Sequence, residues 1–240
     1  MIELSADLGE ASDDRGREVE RAIWPLIGAA NVACGGHAGD ENSMREAART
    51  AARLGVIFGA HPSYPDRANF GRKTMSIDRD ALVASLVEQI EALRAIGAAE
   101  GVTLQRVKAH GALYNDAHRD PAVANAIVEA VRRFGVAIVA IDSSQIAAVA
   151  RKAGVPVIRE VFGDRGYRPD GSLIPRSEPG ALLSIEEAAG QAARFATASD
   201  FDTLCIHADM EGAVERLVAI RKRILLPHRR VGKKVPRSGG

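Results

Sequence analysis

Cysteine is scarce in this chain. Two among 240 residues, Cys34 and Cys205, are too few for a disulfide framework and fit a reducing compartment. Aromatic residues make up only 4%, so the core must be built from the Ala, Val, Leu and Ile that supply most of the 46% apolar fraction. No apolar run approaches the roughly 20 residues of a membrane span. The opening MIELSADLGE lacks the basic-then-apolar pattern of a signal peptide, so the expected location is the cytoplasm, with no membrane partner. No Pro-, Ser- or Gly-rich tract divides the chain, which reads as one α/β domain over residues 1–226. The net charge is only +1, without the strongly basic character of a nucleic-acid binder. Positive charge is instead concentrated at the end. Residues 221–240 hold eight Lys or Arg and no acid, against 24 cationic and 31 acidic residues before them. No aromatics interleave these charges, so residues 227–240 read as a basic, disordered tail and not as a nucleic-acid contact.

Familiar signatures are missing as well. No GxGxxG follows the first strand candidate, and GRKT at residues 71–74 lacks the upstream glycine of a phosphate-binding loop. There is no HExxH and no histidine pair four residues apart. What is present is a regular alternation. Strands are expected at residues 2–6, 28–33, 56–60, 104–108, 137–141, 156–161 and 203–206. Helical periodicity covers 42–54, 79–100, 121–134, 144–153, 185–198 and 211–224. GVIFGA and GVAIVAI are continuous apolar runs, as strands buried on both faces should be. Repeated strand and helix imply a parallel sheet with helices outside, either an open doubly wound sheet or a barrel.

Six of the seven strand candidates run into polar segments: ADLGE, ACGGHAGD, GAHPSYPD, VKAHGALYN, EVFGDRGYRPDG and CIHADM. In a parallel α/β fold these ends share one rim, where active sites assemble. His37, His61, His110 and His207, with Asp7, Glu10, Asp40, Asp164 and Asp209, form a dense set of acids and bases there. His118 and His228 lie off the strand ends and read as surface residues. Asp7, His37 and His61, from three adjacent strands, are the candidate metal ligands. The alternative is a metal-free site in which the same groups bind substrate and move protons. Lys108 is placed to neutralise a developing oxyanion or a phosphoryl group. Arg72, Arg165 and Arg176 are each able to hold a carboxylate. Asn31, Tyr114 and Asn115, in the same segments, complete the substrate-binding candidates. Asp40 has a second reading as a helix cap, and Cys34 reads as a small buried residue.

These segments together resemble the LamB/YcsF family, the A subunits of bacterial 5-oxoprolinase. The matching stretches are ADLGE, N-x-ACG-x-HAGD, GAHPSYPD-x-x-NFGR, VK-x-HGALYN, EVF-x-DRGY-x-x-DGSL-x-PRS and C-x-H-x-D, in order from Ser5 to Asp209. The resemblance implies an irregular seven-stranded (β/α) barrel like that of the carbohydrate deacetylase and glycoside hydrolase superfamily. It also implies ATP-dependent opening of 5-oxoproline to L-glutamate, with Mg2+ and together with subunits B and C; a homo-oligomer is a further option. In such a reaction Lys108 and Arg165 would hold anions. Asp7 or a histidine would act as base, and His110 or His207 as acid. Four positions depart from the family's pattern: Ser5, Gly36, Ala109 and Ala208. Gly36, where the family has a bulky aromatic, is expected to open space beside His37. Two other functions remain open, a metal-dependent amidase or deacetylase and a non-catalytic lactam-binding subunit. As a rim residue, His37 is expected to contribute little to stability, at most about 1 kcal/mol.

Overall fold

A computed structural model describes residues 2–169, 171–198 and 200–225. The basic tail expected over 227–240, with His228, lies outside them. Seven parallel strands close into a barrel in sequence order: β1 (Glu3–Leu8), β2 (Ala29–Ala33), β3 (Ile57–His61), β4 (Leu104–Val107), β5 (Ala137–Ala140), β6 (Val157–Phe162) and β7 (Thr203–His207), which pairs back with β1. Eight helices connect and surround them: α1 (Asp14–Ile23), α2 (Glu41–Leu54), α3 (Arg79–Ala99), α4 (Gly111–Arg119), α5 (Pro121–Arg132), α6 (Gln145–Lys152), α7 (Ile185–Ala198) and α8 (Ala213–Leu225). Among the described residues no helix is long and apolar enough to cross a membrane.

All seven expected strands form, within two residues at either end. Two helices were not legible. In α1, DRGREVERAI, only Ile23 is buried, so it lacks a broad apolar stripe; Asp13 starts it by accepting from the Gly16 N–H at 2.7 Å. In α4, a glycine opens the helix, and the cap position is His110, whose side chain does not cap. The helix begins there because β4 delivers the chain to the rim, not because of a local start signal.

Side chains alternate across each strand, and the two faces differ chemically. Leu4, Ala6 and Leu8 of β1 join Ala30, Val32, Phe58, Ala60, Leu204 and Ile206 in the apolar layer under the helices. The opposite positions are polar: Ser5, Asp7, Asn31, Thr203 and Cys205, joined by Arg106, Lys108 and Glu160, are all buried. The apolar reading of the strands therefore holds for the outer layer, whereas a polar column fills the barrel. Near its base Arg106 donates to both carboxylate oxygens of Glu3, at 2.6 and 3.1 Å. Its stem passes Gly59 so closely that a Cβ there would lie 2.6 Å from Arg106 Cγ.

Of the two readings of Asp40, the structure supports the helix cap. Its carboxylate accepts from the Ser43 N–H, and the Ser43 hydroxyl in turn accepts from the Asp40 N–H, both at 2.9 Å. The side chain is exposed and lies away from the cleft that collects Asp7 and His61. Asp40→Ala should therefore lower stability by about 1 kcal/mol in urea unfolding, with ligand binding in the cleft unchanged. A normal melting curve combined with lost binding would return Asp40 to the site.

Candidate active site

Lys108 sits at the top of the polar column, 2% exposed. Its ammonium lies 3.1 Å from both oxygens of Asp7, 2.8 Å from Glu160 and 3.0 Å from Cys205 Sγ. Burial opposes that charge, but Asp7, followed by Cys205 and Glu160, outweighs it and holds the lysine well above its ordinary pKa. Burial equally opposes ionisation of Asp7, and His61 with Lys108 holds that carboxyl well below its usual range. Asn31 donates to Asp7 at 2.8 Å and is fully buried, so it positions Asp7 and does not line the cleft where substrate contact was expected. Tyr114 lines the cleft and donates its hydroxyl to Glu160 at 2.9 Å. Glu160 was not singled out from the sequence. Its signal was there: an acid inside the strand VIREVF, where an unpaired carboxylate is prohibitively costly to bury.

Above this column Glu10, His37, His61 and His110 place one ligand atom each within 4.8 Å of one another. Glu10 Oε1 is 2.9 Å from His37 Nε2 and 3.2 Å from His110 Nδ1. The outer nitrogens of two rings are fixed by carbonyls: His61 Nδ1 donates to Lys108 O at 2.7 Å and His110 Nε2 to Phe70 O at 3.0 Å. In their neutral forms His61 Nε2 and His110 Nδ1 then face each other as lone pairs 3.1 Å apart, beside a carboxylate. Electron pairs converging in this way need a cation between them, either a proton or a metal ion, and three nitrogens with one oxygen suit a divalent transition metal. The expected metal set is thus corrected. Glu10 and His110 join His37 and His61, while Asp7, although 3.3 Å from His61 Nε2, is already committed to Lys108.

The sequence reading also missed what holds Glu10. The Glu20 carboxylate of α1 accepts three successive backbone N–H groups, from Gly9, Glu10 and Ala11, at 2.9 to 3.0 Å. This pins the loop after β1. His37 is only 2% exposed, stacked on His110 with ring centroids 3.6 Å apart, and its Nδ1 has no hydrogen-bond partner. Burial is the main reason its pKa falls to about 4. It is not a lightly buried rim residue, and its loss should cost roughly 1–3 kcal/mol, above the expected figure. Gly36 does not open the pocket either. A Cβ there would meet Gln89 Oε1 at 2.3 Å and Ser63 Oγ at 2.5 Å, because these two side chains fill the space.

The cleft, of about 610 Å³, is lined by Asp7, Glu10, His61, Lys108, His110 and His207, with Arg72, Arg165, Arg176 and Asp209. Asp164 is fully buried and does not reach it. It accepts from the His207 backbone N–H at 2.7 Å and binds Nδ1 at 2.9 Å, so it orients His207 instead of touching substrate. Burial opposes its charge, and His207 keeps its pKa low. Asp209 takes Arg72 at 2.5 Å and Arg176 at 2.9 Å. Arg165 is 7% exposed, and its guanidinium donates to Ala181 O and Ile174 O. Asn115 lines the cleft from an exposed position on α4. His118, read as a surface residue, is half-buried and lines the cleft as well, because α4 turns it inward two helical turns after His110. Cys34 is buried, with its thiol pushed up to about 12 by burial, as a packing residue should be.

Glu160→Ala would leave the buried ammonium with Asp7 as its one carboxylate and the Tyr114 hydroxyl without its acceptor. A loss of roughly 3–5 kcal/mol is expected in urea unfolding. A loss under about 1 kcal/mol would show that Asp7 suffices. Because Asp7, Glu10 and Asp164 titrate below their unfolded values, their stabilisation is complete above the unfolded carboxylate range and fades as pH falls through the folded values. Circular dichroism against pH should show stability declining below about pH 4.

The profile of the LamB/YcsF family matches residues 2–232. The lactam utilization protein from Thermus thermophilus is 38% identical, with a TM-score of 0.85 over 93% of this chain and 95% of that one. The catalytic domain of a peptidoglycan N-acetylglucosamine deacetylase from Eubacterium rectale ATCC 33656 is 10% identical. Its TM-score is 0.51 over 93% of this chain and 83% of that one, a likeness of fold alone. With a family match over nearly its whole length and a close structural counterpart, this chain belongs to the LamB/YcsF family.

Proposed function

We propose that this protein is the A subunit of a 5-oxoprolinase, opening the lactam of 5-oxoproline to L-glutamate with ATP hydrolysis and two partner subunits, B and C. The observation that carries the reading is the meeting, in one cleft, of Glu10, His61 and His110, which form a cluster with the buried His37 behind them, and a carboxylate-oriented histidine, His207, in a chain 38% identical to a lactam utilization protein. An unstrained five-membered lactam is a poor electrophile, and its opening is unfavourable near neutrality. Coupling to ATP makes the overall reaction favourable.

Within this chain, His207 is the proton-transfer group. Asp164 engages its Nδ1, which leaves Nε2 as the nitrogen for the cleft, able to take a proton from attacking water and return it to the departing ring nitrogen. Lys108 is saturated by Asp7 and Glu160, so its charge stabilises the Asp7 carboxylate and does not travel to substrate. Glu10, His37, His61 and His110 would hold a divalent metal. When bound, it supplies Lewis acidity toward an amide oxygen or a water molecule. That cluster also supports a second reading, a metal-dependent amidase that acts without ATP.

One assay separates the two: glutamate release from 5-oxoproline, with and without ATP, by the chain alone and with its partners. The proposal expects turnover only with ATP and partners; ATP-independent amide hydrolysis by the chain alone would favour the amidase. His207→Ala should reduce kcat in the assembled enzyme by about 100-fold or more, while an unchanged circular-dichroism spectrum and a cooperative melt, at a temperature lowered by the loss of the Asp164 partner, show the fold intact. Metal analysis should find about one divalent transition metal per chain, lost in His61→Ala. A metal-free chain with full activity would remove that role from the cluster.

A further inference from the structure

The cleft does not distribute its positive charge evenly. Among the described residues that line it, three cations have carboxylate partners of their own: Lys108 with Asp7 and Glu160, Arg119 with Asp116, and Arg168 with both oxygens of Glu178. The other three arginines do not. Arg72 and Arg176, from the β3–α3 and β6–α7 loops, converge on the single carboxylate of Asp209. Arg165 is held by the Ala181 and Ile174 carbonyls, which fix its orientation and cancel none of its charge. Burial lowers its pKa, and the neighbouring Arg176 charge lowers it further, so the guanidiniums feel one another. Asp164, beside Arg165, also acts on its charge but is engaged by His207 and does not reach the cleft, so Asp209 is the one carboxylate that Arg72 and Arg176 share there.

We infer that Arg72, Arg165 and Arg176 form the recognition site for a ligand carboxylate and set the preference for an anionic over a neutral lactam. A second carboxylate here alternates with Asp209 between the guanidiniums, and Arg is suited to this planar, two-pronged contact. Arg72 and Arg176 reach it from the solvent side, 47% and 33% exposed, and Arg165 closes it from within. Arg72 is steadied by lying over the Phe70 ring, 5.0 Å from its centroid. Phe70 also packs edge-on against His37 and His110. One aromatic ring therefore links the anion site to the histidine cluster. The ring-amide part of this inference rests on the lactam reading; the carboxylate part does not.

The test is calorimetric binding to the full chain of three probes: 5-oxoproline, the neutral lactam 2-pyrrolidinone, and the acyclic amide carboxylate N-acetylglycine. Wild-type protein should prefer 5-oxoproline over 2-pyrrolidinone by about tenfold to hundredfold, the range for hydrogen bonds to charged groups. Arg72→Met and Arg176→Met should each abolish most of that preference without changing the melting temperature, since both side chains are substantially exposed. Arg119→Met, whose arginine is paired with Asp116, serves as the control and should keep the preference. Equal binding of the two lactams by wild type, an undiminished preference in both variants, or no binding of either carboxylate would overturn the site. If N-acetylglycine binds as tightly as 5-oxoproline and both need the arginines, the carboxylate site stands and the lactam reading falls. If 5-oxoproline binds selectively but independently of Arg72 and Arg176, the lactam reading stands and this site falls.

Discussion

A buried ammonium organises the centre of this protein. Lys108 is almost wholly buried, and an unpaired charge in such a place is too costly to keep, so carboxylates must meet it. Asp7 from β1 and Glu160 from β6 do so, from strands that lie on either side of β7. Each carboxylate then recruits a partner, Asn31 for Asp7 and Tyr114 for Glu160. The ion pairs that neutralise one lysine, with the hydrogen bonds that hold its carboxylates, thereby tie four strands and α4 into a fixed arrangement. Tertiary closure of the barrel and alignment of the floor of the cleft are one event.

The layer above works by different means. There the histidines are oriented by backbone carbonyls, of Lys108 and Phe70, and Glu10 is oriented by the loop that Glu20 gathers. Secondary partners of this kind fix both tautomer and direction. They also leave a local imbalance, since His37 Nδ1 and Asn31 Oδ1 are buried without hydrogen-bond partners. Such groups weaken the fold slightly, and these two sit at the polar site. The site concentrates electrostatic tension that the outer Ala, Leu, Val and Ile packing has to offset.

At the mouth the logic changes again. Asp209 joins Arg72 and Arg176 across three different loops, so the opening is defined by ion pairs that remain partly solvated. Exposed pairs contribute little to stability and rearrange easily. From floor to mouth, the groups pass from fully buried and saturated to solvated and incompletely neutralised. That gradient suits a cleft whose base must stay rigid while its rim exchanges ligands.

The strands and six of the helices were legible in the sequence because hydrophobic period is a local property, and polar residues at successive strand ends marked the rim without any coordinates. Its motifs also carried the family and the barrel. The sequence could not separate Asp40, which caps α2, from Asp7, which faces Lys108, because both are acids at strand ends. Nor could it pair Glu160 with Lys108, from distant strands, or show that Glu20 holds Glu10 in place. It placed Gly36 beside an open space that Gln89, brought in from α3, already occupies. In each case the deciding contact spans distant segments. Periodicity along the chain determined which face each residue takes; closure of the barrel alone decided which charges meet inside it.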